Sequence, residues 1–361
     1  MIGRTLFSYL FRRLLVMLGW LLLGIVALIV MIDLTETISR FSDVPGFTIL
    51  RGLLLVALHV PPILEQVLPF AILLASMIVL IDLNRRYELV VARSVGASAW
   101  QFLAPLALAS FLVGLVSLVT LNPLAAASLR WDEELQATLF QRDSRGRGER
   151  MVWLRQKSEE GRVVIAAQNA RPDGRMLRNV TFYRIDGGGE MIDRLDAPTA
   201  TLGEGRWTLD AAVRTEAGRV PESVGMTTIE TRILPETVAQ RTTAPEATSF
   251  LALFDRVAAM RRLGLPTAPF TMQVHALLTR PVLFVGMTLI AGTVCLRFAR
   301  FGQARTVVLG GLAAAFVLYV ATVLVRAFGT SGLVPPFVAA WIPVLAALFI
   351  GAAILLRTED G

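Results

Sequence analysis

Six apolar segments, three before and three after a long polar insert, constrain the fold of this chain more than any other feature. They cover about residues 14–32, a span within 53–81, 102–121, 281–298, 306–328 and 336–356. A bilayer core about 30 Å thick needs roughly 20 apolar residues in a helix that rises 1.5 Å per residue. With 55% hydrophobic and 17% charged residues, the chain is predicted to be an α-helical membrane protein with six transmembrane helices.

The second apolar segment is longer than one straight span and contains Pro61 and Pro62. Proline removes a hydrogen bond from a helix interior and clashes with the preceding turn. We therefore predict that the two prolines divide the segment into an interfacial helix and the true span.

The arginines near the membrane are unevenly distributed between its two sides. If the six helices alternate in direction, ten arginines lie on the side of the termini: Arg4, Arg12, Arg13, Arg85, Arg86, Arg93, Arg297, Arg300, Arg305 and Arg357. Outside the insert, the other side has Arg40, Arg51 and Arg326. Cytoplasmic loops carry the excess of basic residues, so both termini are expected in the cytoplasm and the insert outside it.

The insert begins with a charged segment, 131–150, that predicts a helical stalk. Six short runs with strand-like alternation follow, at 151–156, 162–170, 176–186, 190–202, 206–215 and 225–234, and glycine-rich turns separate them. This spacing is typical of an antiparallel sandwich or a partly open barrel. An amphipathic helix at 250–263, capped by Thr248 or Ser249, is expected to lie at the interface.

These patterns divide the chain into four predicted parts. Residues 1–121 hold the first three membrane helices, 122–248 the stalk and the all-β domain, 249–272 the interfacial helix, and 273–361 the last three membrane helices.

Few residue types suited to catalysis are present. Lys157 is the only lysine and no glycine loop precedes it, which excludes a P-loop. Cys295, His59 and His275 are the only cysteine and histidines, too few for a Cys/His metal cluster or a disulfide framework. The arginines flank apolar runs rather than covering one soluble face, which argues against nucleic-acid binding. We expect no catalytic residue, metal or cofactor in this chain.

The connection between the second and third spans, RRYELVVARSVGAS at 85–98, is longer than a simple loop requires. Gly96 suits a left-handed helix end and Ser98 suits the cap of the next helix. We predict a short helix at about 84–96 across the cytoplasmic mouth. Two interpretations stay open on periodicity alone: a basic helix that marks the interface, or a coupling helix that inserts into a groove of a separate ATPase, with Glu88 as its acidic contact.

The run ELVVARSVG at 88–96 is similar to the coupling-helix pattern of the lipopolysaccharide-export permease family, LptF/LptG. The run LPFAILL at 68–74, the pair Arg280-Pro281, and the runs VPPF at 334–337 and WIP at 341–343 also resemble that family, and the proline pair favours its LptG branch. The resemblance covers essentially the whole chain: three helices, an external β-jellyroll, three helices.

This resemblance implies a non-catalytic permease subunit of an ABC transporter in the bacterial inner membrane, with its β-jellyroll in the periplasm. Such a subunit extracts lipopolysaccharide and passes it to a periplasmic jellyroll bridge toward the outer membrane. The implied partners are the sister permease LptF, a dimer of the cytoplasmic ATPase LptB that binds ATP and Mg²⁺, and the single-helix protein LptC. The implied ATPase-coupling residues are Arg85, Arg86, Tyr87, Glu88, Val91, Arg93 and Gly96.

A large anionic lipid needs a broad apolar cavity with cations at its outer rim. Arg40, Arg51 and Arg326 are the rim candidates. Arg326, at the outer end of helix five, is the strongest of them, and an interfacial anchor explains it equally well. Relatives carry basic residues near the outer end of helix one, where this chain has Asp33 and Glu36. Glu65 is either a functional intramembrane carboxylate or an exposed interfacial one.

Small residues in the fifth span suit a close helix approach. Gly310, Gly311 and Ala314 are candidates for a lateral gate or a dimer seam, and packing within the chain explains them equally well.

Two rival functions also fit a membrane chain with a β insert. One is a membrane-anchored scaffold whose β domain binds partners without transport. The other is a lipoprotein-releasing exporter subunit, but such proteins place their large domain after the first helix, whereas this insert follows the third.

Overall fold

In the computed structural model, the chain divides into a helical unit, residues 1–140 and 245–361, and a second unit, residues 141–244. The structure describes residues 4–42, 48–94, 96, 98–139, 152–158, 161–170, 174–203, 205–216, 218–231, 233, 235, 238, 244–262, 266–298 and 304–359.

The first half of the helical unit contains five helices. They are α1 (Arg4–Phe41), α2 (Ile49–Arg85), α3 (Glu88–Ser94), α4 (Ala99–Val116) and α5 (Asn122–Leu139). A π-helical turn, Ser117–Leu121, joins α4 to α5 and is closed by a hydrogen bond from the Asn122 amide to the Ser117 carbonyl. The turn makes α4 and α5 one helical rod with an inserted residue.

The second half contains a 3₁₀ turn, Pro245–Ala247, and four helices: α6 (Phe250–Arg262), α7 (Ala268–Phe298), α8 (Ala304–Thr330) and α9 (Pro336–Glu359). Six helical stretches in the described residues are long and apolar enough to cross a membrane: α1, α2, the α4–α5 rod, α7, α8 and α9. The predicted six spans, three on each side of the insert, are confirmed.

The predicted break at Pro61 and Pro62 is wrong, because α2 is one helix of 37 residues that contains both prolines and Pro69. Pro61, Leu55 and Val56 are buried, so contacts with neighbouring helices hold this part of α2 in place. Membrane helices tolerate proline where neighbours and local adjustments satisfy the freed carbonyls.

The core of the helical unit lies among α1, α2, α4 and α7. Its helices approach closely at glycine: a Cβ on Gly114 of α4 would lie 2.5 Å from the Pro281 Cα of α7. At the same seam, the fully buried hydroxyls of Ser110 and Thr288 lie 2.6 Å apart. Close backbone approach and hydroxyl pairs hold helices together where lipid supplies no hydrophobic drive.

The second unit is a six-stranded antiparallel sheet in which each strand pairs with the next along the chain. Its strands are β1 (Val152–Ser158), β2 (Gly161–Ala170), β3 (Met176–Ile185), β4 (Met191–Leu202), β5 (Arg206–Thr215) and β6 (Glu222–Glu230). The inserted antiparallel β domain is therefore confirmed, with the strand order of a meander. One face buries an apolar cluster around Phe182, Trp207 and Leu209.

A buried carboxylate on β4 binds arginine side chains of both neighbouring strands, β3 and β5. The side chain of Asp193 on β4, 1% exposed, accepts from Arg184 Nε at 2.6 Å and from Arg214 Nε at 2.7 Å. Burial alone raises the pKa of Asp193, but the hydrogen bonds and charges of the two guanidinium groups outweigh it and hold that pKa below its usual range.

Candidate functional site

Short helix α3 is set apart from α2 by local backbone geometry. Tyr87 has a φ of +61°, which ends α2, and Leu89 is buried against the helical core. Gly96 adopts a φ of +88° after α3, and the Ser98 hydroxyl accepts from the Gln101 amide at the start of α4. The result is a two-turn helix anchored by one apolar side chain.

An inner polar cluster, which we define as Tyr9, Arg13, Asp82, Arg86 and Glu88, holds α3 against α1 and α2. Arg13 pairs with Asp82 and lies 3.6 Å from Glu88 Oε2. Arg13 also donates to Tyr9 Oη, which in turn donates to Glu88 Oε1 at 3.5 Å. Arg86 Nε donates to Asp82 Oδ1 at 3.2 Å. That hydrogen bond and the Asp82 charge raise the pKa of Arg86.

The coupling residues that the resemblance implies surround this helix. Arg85, Arg86 and Gly96 are exposed, as are Tyr87 at 70% and Val91 at 61%. The side chain of Arg93 lies outside the described residues. Glu88 remains 36% exposed while it bonds within the chain. Its intramolecular partners were missed by sequence reasoning, because Tyr9 and Arg13 belong to a helix far away in the chain.

An outer polar cluster, Glu65, Asn122, Arg280 and the Phe250 amide, lies deeper in the fold. Glu65 of α2 pairs with Arg280 of α7, and the two side chains are 10% and 17% exposed. Fully buried Asn122 donates to Glu65 Oε1 at 2.9 Å and accepts from the Phe250 amide at 2.9 Å. Glu65 is thus a mostly buried, paired carboxylate rather than an exposed one, and the Arg280-Pro281 motif supplies its partner.

A histidine on α2, less than two turns before Glu65, bridges two carboxylates. His59 Nδ1 lies 2.7 Å from Asp33 Oδ2, and His59 Nε2 lies 3.1 Å from Asp132 Oδ1. The bridge links α1, α2 and α5. Sequence reasoning named Asp33 and His59 separately but had no signal for this contact.

The three candidate rim cations lie on separate helices. Arg40 pairs with Glu36 one turn earlier on α1, and Arg51 is exposed in the first turn of α2. Arg326 of α8 lies 3.3 Å from Glu246 Oε1 and also bonds buried Gln273.

The candidate gate residues divide between two faces of α8. Gly311 is buried against α2, where an added Cβ would lie 2.6 Å from Met77 Sδ. Gly310 and Ala314 are exposed. Intramolecular packing therefore explains Gly311, and only Gly310 and Ala314 are open to a partner.

Two of the spans bury little of their surface within the chain. Of the apolar 18-residue segment of each span, 6% is buried in α1 and 11% in α8, against 39–61% in the other four spans. Their exposed apolar side chains include Trp20, Leu28, Met31, Phe316, Val317 and Leu324. These two faces are free to meet lipid or another chain.

Within the described residues, no three His, Cys, Asp or Glu side chains are grouped to hold a metal ion. The clusters consist of charge pairs and hydrogen bonds, which can position helices and bind polar groups.

Comparison with known proteins gives this architecture a family. The model of the family "Lipopolysaccharide export system permease LptF/LptG" matches residues 8–357. The chain is also 22% identical over 381 residues to the lipopolysaccharide export system permease protein LptG of Haemophilus influenzae, a match that covers 99% of this chain and 98% of that protein. The resemblance carried by the motifs is confirmed: the chain belongs to the LptF/LptG family of lipopolysaccharide export permeases.

Proposed function

We propose that this family member is the LptG-type half of an ATP-driven lipopolysaccharide extractor, with both termini in the cytoplasm and its β domain in the periplasm. As a family member it is a multi-pass inner-membrane permease of a lipopolysaccharide export system. The LptG assignment is supported by the Haemophilus relative, and the topology by the unequal arginine distribution.

The observation that carries the coupling role is the exposure of α3. Tyr87 and Val91 present apolar surface at 70% and 61% exposure, although Leu89 between them is buried. Exposed aromatic and apolar side chains next to arginines are typical of the anchors of protein interfaces. We assign this surface to the ATPase, a dimer of LptB type that binds ATP and Mg²⁺.

Motion of the ATPase would reach the membrane through the inner polar cluster. Glu88 is bonded to Tyr9 and Arg13 of α1, and Arg13 is bonded to Asp82 of α2. A displacement of α3 is thereby transmitted to the first two spans without passing through the β domain.

The weakly buried face of α8 and the part of α1 around Leu28 and Met31 are assigned to the sister permease LptF and to the lipid path between the two subunits. Arg40, Arg51 and Arg326 are the cations proposed at the outer rim of that path, with Gly310 and Ala314 at its seam. The β domain is proposed to receive the lipid and to join a periplasmic bridge of jellyroll domains, with single-helix LptC as a further partner.

The coupling role is tested by Val91→Asp in the chain co-expressed with its candidate partners. Because Val91 is exposed, the variant is expected to fold and insert but to lose most copurification of the ATPase and lipid-stimulated ATP hydrolysis. Leu333→Asp is the matched control, since Leu333 is 75% exposed in the turn between α8 and α9. Full ATPase recovery with Val91→Asp would contradict the assignment.

A scaffold function is separated by the same purification. A membrane-anchored scaffold would purify without any ATPase, whereas the proposed permease retains it. Glu88→Lys, which places a third cation beside Arg13 and Arg86, is expected to abolish coupled ATP hydrolysis even if some ATPase remains bound.

A further inference from the structure

A cleft of about 540 Å³ lies between α1 and α2 beside the inner polar cluster. Its walls are Arg13, Val16, Met17 and Trp20 from α1 and Ile78, Val79, Ile81, Asp82 and Arg85 from α2. The α1 residues follow i, i+3, i+4, i+7 spacing, and so do the α2 residues except Val79. The volume is in the range of small-ligand sites, and no residue role derived above uses this space as a whole.

The cleft is polar at one end and apolar at the other. Arg13, Asp82 and Arg85 form the polar end, and Trp20 and Ile78 form the far end seven residues away, about 10 Å along the helices. This is the polarity of a lipid that lies with its headgroup at the membrane surface and its acyl chains toward the bilayer centre.

The polar end has a surplus of positive charge. Asp82 is neutralised by Arg13 and Arg86, and Arg13 also lies near Glu88. Arg85 is exposed and makes no ion pair with any residue that the structure describes. An anionic headgroup would give Arg85 its counter-charge.

A second helix is a poorer occupant than a lipid. The cleft covers two helical turns, whereas a packed transmembrane helix contacts its neighbour along most of its length. The more distant exposed residues of α1, such as Leu28 and Met31, do not line the cleft.

We propose that this cleft binds an anionic phospholipid of the bilayer, with its phosphate on Arg85 and its acyl chains along Val16, Trp20 and Ile78. The bound lipid lies against Arg13 and Asp82, which hold α3, so it stabilises the position of the proposed coupling helix. The cytoplasmic leaflet as its source follows from the proposed topology, but the binding itself does not depend on it.

The experiment reconstitutes the full chain with its copurifying subunits in nanodiscs of phosphatidylcholine and phosphatidylglycerol and measures retained lipid by mass spectrometry. Arg85→Gln is expected to lower the preference for phosphatidylglycerol about fivefold, because one basic group at an anionic surface contributes about 1 kcal/mol. Val16→Trp, which fills the cleft without changing charge, is expected to lower retention as well. Arg357→Gln, an exposed arginine outside the cleft, is the control and is expected to change nothing.

A photo-crosslinker at position 20 identifies the occupant. Capture of a clickable phosphatidylglycerol supports the proposal. Capture of a protein subunit or of lipopolysaccharide in its place would overturn it, as would equal phosphatidylglycerol retention in all four proteins. ATP hydrolysis by the same samples reports on the permease function separately, so a failure of the lipid site is distinguishable from a failure of the coupling assignment.

Discussion

The inner and outer polar clusters use the same chemistry in different surroundings. Their α2 carboxylates, Asp82 and Glu65, are separated by 17 positions, about 25 Å along the helix. In the outer cluster both charged side chains are nearly buried, at 10% and 17% exposure. In the inner cluster the carboxylates of Asp82 and Glu88 are 40% and 36% exposed.

This difference in exposure indicates that the two clusters hold their helices with different strength. A buried ion pair is costly to separate, because each ion left alone in a low-dielectric setting loses its compensation. A half-exposed pair exchanges partners with water at little cost. The outer cluster therefore fixes α2, α5, α6 and α7 together, whereas the inner cluster holds α3 through half-exposed contacts that cost less to separate.

The largest expected effect is at the outer pair. Arg280→Met leaves Glu65 buried without its cation and is expected to destabilise the helical unit by about 3–5 kcal/mol. Thermal unfolding of the purified protein in detergent measures the loss. The double variant Glu65→Gln/Arg280→Met removes both charges and is expected to recover most of it. A single variant as stable as the parent would remove the distinction between the clusters.

A smaller loss is expected at Asn122, which donates to Glu65 and accepts from the Phe250 amide. Asn122→Ala leaves the Phe250 amide without its side-chain acceptor and removes one of two donors to Glu65, which keeps Arg280, and it is expected to cost about 1–3 kcal/mol. Hydrogen exchange should quicken at the Phe250 amide at the start of α6. Thr120→Ala is the matched control, because among the residues that the structure describes that exposed hydroxyl bonds only the Val116 carbonyl of its own helical rod. Unchanged exchange at Phe250 would show that Asn122 does not tie α6 to the core.

Asp193 in the β domain is also a buried carboxylate paired with arginine, like Glu65 in the outer cluster. Its pKa is lowered in the folded state, so its contribution to stability is present at neutral pH and is lost as pH falls through the range below its usual pKa of about 4. Hydrogen exchange of the amides of β3–β5 in the full chain should quicken as pH falls toward 3, after correction for the intrinsic rate. Asp193→Asn should show faster exchange at pH 7 and a weaker response to acid. If both proteins responded equally to acid, the faster exchange at low pH would be due to other carboxylates.

The smallest effect is expected at Arg86, an exposed partner of Asp82 one turn away. Arg86→Gln is expected to leave the thermal unfolding transition nearly unchanged, because an exposed ion pair is screened by water. A loss comparable with that of Arg280→Met in the same thermal assay would mean that the inner cluster is as rigid as the outer one.

The parts of the fold that local patterns determine were predictable. Apolar length gave the six spans, and alternation between glycine turns gave the strands, with 206–215 matching β5 from end to end. Pro61 and Pro62 misled because proline propensity is local, whereas α2 stays intact through burial by its neighbours. Alternation alone does not encode strand order, although each strand here pairs with the next along the chain.

The charge clusters show the same limit. Glu65, Glu88 and Arg280 were recognisable as charged residues at the ends of apolar runs or in motifs, but their partners were not. Arg13 and Asp82 are 69 positions apart, and Glu65 and Arg280 are 215 apart. Side chains that far apart in the chain meet only after the helices have packed, so residue type predicted the need for a partner without identifying it.

The π-helical turn at Ser117–Leu121 sets the register of everything that follows in the rod. Removing one residue there would let α4 run into α5 as a regular helix, and α5 would rotate by about 100° about its axis. Asn122 would then point away from Glu65 and the start of α6. A single-codon deletion in this turn is therefore a more severe lesion than most substitutions around it, and insertions elsewhere in α5 cannot compensate for it.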